Sequence, residues 1–134
     1  RDALFGAVAE ASLEREVAGM DATFAPRSAD DLIDALVALL DRTTEDQRIQ
    51  TTARLVLFME ASHDVALRQT LGQGRAFLET ALTSALDDVG AGDPKAAARA
   101  IMACAEGLIL HRVTRHDDAD IRPVLALVVR GALT

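Results

Sequence analysis

The sequence predicts an all-α fold, a bundle of about six helices, and three observations carry that prediction. Half of the 134 residues are hydrophobic, yet Trp and Tyr are absent and Phe occurs four times. The apolar content therefore rests on Ala, Leu and Val, a mixture that favours helices over strands. Apolar residues recur at spacings of three and four, and no segment shows the alternation of a half-buried strand. Helix-start and helix-stop residues punctuate these segments: Ser28, the pair Asp93-Pro94, and the turn Gly90-Ala91-Gly92. A chain of this length forms one domain with its own core, without disulfides or a structural metal, and is too short for a multidomain enzyme.

From Asp2 to Met20, the positions of Leu4, Phe5, Val8, Ala9, Leu13 and Val17 define a first helix that is already under way at Ala3. The break from Asp21 to Arg27 ends it, because Pro26 drives its predecessor out of the helical region. Ser28 opens the second helix as its N-cap, with Asp30 and Asp31 in the first turn, where negative charge complements the dipole. Leu32, Ile33, Leu36, Val37, Leu39 and Leu40 form its buried stripe. Thr43 or Thr44, followed by Glu45 and Asp46, marks the start of a third helix that runs to about His63. Its centre, Leu55-Val56-Leu57-Phe58-Met59, is apolar on every side and predicts a helix buried among neighbours.

A fourth pattern runs from Asp64 to about Val89 through Val65, Leu67, Leu71, Phe77, Leu78, Leu82 and Leu86. Gly72 and Gly74 weaken it by about 1 kcal/mol each relative to Ala, which predicts a kink or a break there. Gly90-Ala91-Gly92 closes it with a C-cap. Asp93-Pro94, an N-cap followed by proline at the first helical position, opens a helix from Pro94 to about Val113. After the polar turn Arg115-His116-Asp117-Asp118, the last helix covers about Asp120 to Leu133.

The last two helices are apolar around most of their circumference, whereas a helix at the end of a small bundle keeps a wet face. Pairing with the same two helices of a second copy covers both, in an isologous four-helix interface. Ile101, Cys104, Leu108, Leu125, Val128 and Val129 are the expected interface residues.

Fourteen basic residues against 21 acidic ones leave a net charge of −7. Such a stretch is poorly suited to displacing counterions from a phosphate backbone, and four scattered Phe make no stacking platform for bases. The lone Cys104 excludes an internal disulfide framework and points to a reducing cytoplasm. No apolar stretch reaches the ~18 to 20 residues of a membrane span. No Gly-rich phosphate loop follows a strand and no Ser sits in a nucleophile elbow, so neither catalysis nor a cofactor is expected. His111, His116, Asp117, Asp118 and Asp120 have the chemistry of a divalent-cation site, but the spacing of the two His does not put both rings on one face. The segment reads instead as a solvated turn, with His111 and Arg112 placed to complement a helix C-terminus. Glu60 shares a face with Ile49, Ala53, Val56 and Leu57, where a carboxylate must pair, neutralise or reach water; an edge salt bridge and a ligand contact both answer that demand. Met20, Phe24, Phe58, Met59, Phe77 and Met102 are large enough to line a cavity, though each alone also reads as core.

Two stretches resemble a known family. Arg1-Asp2-Ala3-Leu4-Phe5-Gly6-Ala7-Val8 looks like the segment that follows the DNA-reading helix in tetracycline-repressor (TetR) family regulators, although only the tail of that pattern is present. Asp93-Pro94-Lys95-Ala96-Ala97, Ala105-Glu106-Gly107-Leu108-Ile109-Leu110-His111-Arg112 and Asp120-Ile121-Arg122-Pro123-Val124-Leu125 resemble the family's Ala-rich penultimate helix with its acidic-Gly-Leu element, the short acidic turn and the final helix. The resemblance implies that residues 1–134 are a single effector-binding and dimerisation domain of a bacterial transcriptional regulator, a homodimer that takes an apolar small molecule. Phe24, Phe58, Met59, Phe77 and Met102, with Met20, would wall the pocket, and Glu60 and His111 would anchor polar groups. The family's three-helix DNA-binding head would precede Arg1, so DNA is expected to be touched only through that head. The competing expectation is a helical protein-interaction module that docks a different protein on the same apolar helix pair and takes no small ligand.

Overall fold

A computed structural model of the chain describes residues 25–134. Ser28 starts the first helix, α1 (Ala29–Thr44): its hydroxyl accepts from the Asp31 amide at 3.1 Å, while the Asp31 carboxylate accepts from the Arg27 amide at 3.1 Å. This reciprocal cap satisfies two amides that the helix itself cannot. Leu32, Ile33, Leu36 and Leu40 turn inward as their spacing predicts, whereas Val37 and Leu39 are half-buried. Four further helices follow: α2 (Arg48–Ala61), α3 (Val65–Asp88), α4 (Pro94–Arg115) and α5 (Arg122–Ala132). The fold is all-helical, with five helices and no strand among the described residues. The expected first helix, from Asp2 to Met20, and the pocket candidates Met20 and Phe24 lie outside them.

Two expectations about helix ends are corrected. Thr43 and Thr44 do not open a helix. Both are buried in the last turn of α1, where their hydroxyls donate to the Leu39 and Leu40 carbonyls at 2.7 and 2.8 Å. A threonine whose hydroxyl is satisfied by the carbonyl four residues back has no need to cap a new helix, and α2 starts at Arg48 instead. No break occurs at Gly72-Gln73-Gly74 either, because α3 is continuous over 24 residues. Its start is capped by Asp64, which accepts from the Leu67 amide at 3.1 Å. Its end is a Schellman turn on Gly90 (φ +95°): the Ala91 amide donates to Leu86 at 2.9 Å and the Gly90 amide to Asp87 at 3.1 Å. With both ends closed, the modest cost of two glycines is outweighed by the hydrogen-bond ladder that continues through them.

The described residues divide into two compact units, one made of Ile49–Leu78 and the other of residues 25–48 with Glu79–Thr134. In the larger unit α1 packs on both α4 and α5, and those two pack on each other. Its core joins Leu32, Leu36 and Leu40 to Leu82 and Leu86 from the end of α3, Ala98 and Ile101 from α4, and Ile121, Leu125 and Val129 around α5. A side chain of this kind, fully withdrawn from water, contributes roughly 1.5–3 kcal/mol. Asp93 caps α4 by accepting from the Ala96 amide at 3.2 Å, with Pro94 at the first position.

The smaller unit has a lesser core of Leu57 and Ala61 from α2 and Leu67 from α3, with Leu71 packed against it. The expectation of a helix buried on all sides at Leu55-Val56-Leu57-Phe58-Met59 is therefore corrected. Only Leu57 is buried, and Val56, Phe58 and Met59 are exposed. An apolar run of five circles the helix, but only the side that carries Leu57 and Ala61 is buried.

Candidate functional site

Three places carry chemistry, and the first is the outer face of the α4–α5 pair. The two helices bury one side each in the core of the larger unit; outside, α4 exposes the charged Lys95, Arg99, Glu106 and Arg115, and beside them runs an apolar strip shared with α5. On α5 this face holds Val124, Leu127, Val128 and Gly131, which follow the three- and four-residue spacing of one helical side. Leu127 is 78% exposed. On α4 it holds Ala100, Ala103, Cys104 and Gly107, with exposed Leu110 beyond them. A Cβ built on Gly107 or on Gly131 would meet nothing within 4 Å, so the surface at both is open.

The expected interface residues separate on this geometry. Cys104, Leu108 and Val128 are half-buried. Ile101, Leu125 and Val129 have no exposed surface at all and belong to the chain's own core. Their assignment to the outer seam is corrected: in α5, Leu125 and Val129 stand four residues apart on the side that faces α1 and α4. Val124, Leu127 and Leu110, which sequence reasoning left out, are the large apolar side chains that do reach the surface. The missed signal was the phase of the helix, since a run that is apolar all round does not reveal which side faces inward. Burial pushes the Cys104 thiol up from its ordinary range, which keeps it neutral and a poor nucleophile.

The second place is the smaller unit, where Phe58 and Phe77 are each 41% exposed and Met59 is 75% exposed. Glu60 is half-buried and partnered. The other two pocket candidates within the described residues, Met102 and His111, are half-buried and lie in the larger unit.

A polar cluster where α1 ends and α4 ends is the third. Arg112 has only 15% of its side chain exposed, and its Nη1 donates to Asp41 Oδ1 at 2.7 Å and to Thr44 Oγ1 at 3.2 Å. Its Nε is buried without a hydrogen-bond partner. Arg48, the first residue of α2, reaches the other side of the same helix end through Nη2, which donates to the Arg112 and Val113 carbonyls at 3.3 and 3.1 Å. The sequence offered no sign of this cluster, because its bonded partners stand more than 60 residues apart and only the fold brings them together.

Among the described residues no group of three or more His, Cys, Asp or Glu is placed to hold a metal ion, and no helix is long and apolar enough to cross a membrane. The geometry defines an all-α domain whose C-terminal helix pair keeps an outward apolar face. Its family follows from comparison: residues 27–134 match the family described as Tetracyclin repressor-like, C-terminal domain, and the chain belongs to that family. No curated protein and no solved structure gives a significant match.

Proposed function

We propose that this chain is the effector-binding and dimerisation domain of a cytoplasmic transcriptional regulator, in which an apolar small molecule changes the operator affinity of a homodimer. The outward face of α4 and α5 is the observation that carries this reading. Glycine and alanine flatten it, so a second helix pair approaches closely, while Leu127, Val124 and Leu110 supply apolar area to bury. Cys104, Leu108 and Val128 complete the seam, and Ile101, Leu125 and Val129 support it from within. The large half-exposed side chains of Phe58, Phe77 and Met59 favour an apolar effector in the smaller unit. DNA contact is assigned to a separate reading head, since these 134 residues carry a net charge of −7. An effector that favours one arrangement of the dimer regulates by shifting a population, and a coupling of about 1–3 kcal/mol suffices.

Sedimentation equilibrium at micromolar concentration tests the seam. The wild-type chain should be a dimer and Leu127→Glu a monomer of unchanged helicity, because the symmetric seam would bury one carboxylate from each copy. A strictly monomeric wild type, or a Leu127→Glu dimer of equal strength, refutes it and leaves a module that docks some other protein. For the effector, the fluorescence of the apolar dye Nile red, which brightens in an apolar environment, follows binding. Dye binding that is unchanged in Phe58→Asp and Met59→Asp refutes the pocket assignment.

A further inference from the structure

The start of α2 closes the end of α4. Arg48, the first residue of α2, belongs to the larger unit, and the chain passes into the smaller one at Ile49. Its Nη2 donates to the Arg112 and Val113 carbonyls at 3.3 and 3.1 Å. Both residues stand in the last turn of α4, where carbonyls have no partner inside the helix. The same nitrogen lies 3.0 Å from Nδ1 of His116, which follows α4 with a left-handed backbone (φ 52°, ψ 35°). The side chain of Arg112 meanwhile reaches Asp41 and Thr44 of α1. One residue of α4 therefore meets α1 through its side chain and α2 through its backbone.

We propose that Arg48 couples effector binding to the helix that carries the seam: a molecule seated against Phe58 and Met59 restrains α2, and Arg48 passes that restraint to the end of α4. The coupling rests on the effector-binding reading given above. Phe58 stands on α2 roughly 15 Å along the helix axis from Arg48. The helix between them holds neither Gly nor Pro, the residues at which helices bend, so a restraint at one end is felt at the other. On α4, Leu110 of the outward face comes just before Arg112, so the turn that Arg48 closes also presents a seam side chain. Closing it takes the two carbonyl bonds alone; the charge of Arg48, which takes part in a further interaction, does not enter. The tie to α1 through Asp41 and Thr44 is separate, because it uses the Arg112 side chain and not its carbonyl.

Amide hydrogen exchange of the full chain, read by mass spectrometry with and without saturating Nile red, tests it. The amides of His116 and Asp117, both bonded to the His111 carbonyl, report on the end of α4. In the wild type the dye should raise their protection at least about five-fold. Arg48→Met and the shorter Arg48→Gln should keep the helicity and the dye affinity of the wild type and lose this rise. Arg112→Met, which removes the bonds to α1 and keeps both carbonyls, should retain it. Leu127→Glu should retain it as well, so the readout does not depend on association. Dye binding that Phe58→Asp leaves unchanged refutes the effector reading and the coupling with it. Where Phe58→Asp does abolish binding, a wild type without the rise overturns the coupling alone, as does a rise that survives in either Arg48 variant.

Discussion

Leu125 and Leu127 stand two residues apart on one helix and have opposite surroundings, 0% and 78% exposed, so trimming each to Ala separates core from seam. Leu125→Ala removes three carbons from a packed site. At roughly 0.8 kcal/mol per buried methylene, with a further cost for the cavity left behind, the loss is about 3–4 kcal/mol. An unfolding entropy of about 2.1 cal/mol/K per residue gives roughly 0.28 kcal/mol/K for this chain, so its melting temperature should fall by about 10–14 °C. Leu127→Ala gives up little inside the chain and should cost the folded protomer less than about 1 kcal/mol. Covered by a second copy, the same side chain contributes on the order of 1–2 kcal/mol, and symmetry counts it twice. The dissociation constant should therefore rise by about 30- to 900-fold. Urea denaturation read by circular dichroism at several protein concentrations gives the first quantity, and sedimentation equilibrium gives the second; the concentration series is needed because any self-association would itself stabilise the fold. If Leu127→Ala lowers protomer stability as much as Leu125→Ala and leaves association unchanged, the division into inner and outer faces is wrong.

Asp41→Ala should destabilise the chain more than Arg112→Met, by about 1–3 kcal/mol against less than about 1 in urea denaturation, because the first strands a buried guanidinium while the second leaves a carboxylate that reaches water; equal losses would contradict that asymmetry. Gly90→Ala forces a side chain into φ +95° and should cost about 1–2 kcal/mol, whereas Gly72→Ala, where an added Cβ meets nothing, should stabilise α3 by up to about 1 kcal/mol. Cys104 should react with iodoacetamide only at higher pH than a free thiol, because burial favours its neutral form, and urea should restore the ordinary profile; a thiol that reacts like the free one in the folded chain contradicts its burial.

Local chemistry was legible in the sequence where a residue acts on its own neighbours. Ser28, Asp93-Pro94 and Gly90 each complete a cap within a few residues, and α1 shows its buried side because polar residues occupy the other. Phase was lost where those markers are missing: the all-apolar segments of α2 and α5 fit any rotation about the helix axis. Leu125 and Val129 were accordingly assigned to the seam, and Phe58 and Met59 to a buried helix. Thr43 and Thr44 were misread for a different reason, since a threonine hydroxyl serves a helix end as readily as a helix start. The cluster of Asp41, Thr44, Arg48, Arg112 and His116 was invisible, because no periodicity links partners that far apart in the chain.

The long-range charges also account for the uncharged strip on α5. α5 carries two charged residues, Arg122 and Arg130, and both are bonded to α1, to Asp34 at 2.7 Å and to Asp30 at 2.6 Å. Both pairs are largely exposed, so each contributes at most a fraction of a kcal/mol to stability. Their effect is on arrangement: the earlier acidic residue meets the later arginine, which suits an antiparallel α1 and α5 and punishes other registers. Drawing both arginines toward α1 also leaves Val124, Leu127, Val128 and Gly131 without a cation among them. A face that only met water would gain from a lysine or an arginine there. Cationic side chains directed to one side of α5 and an apolar strip left on another are what an interface between two copies requires, because a like charge brought face to face with itself across a two-fold axis would oppose association.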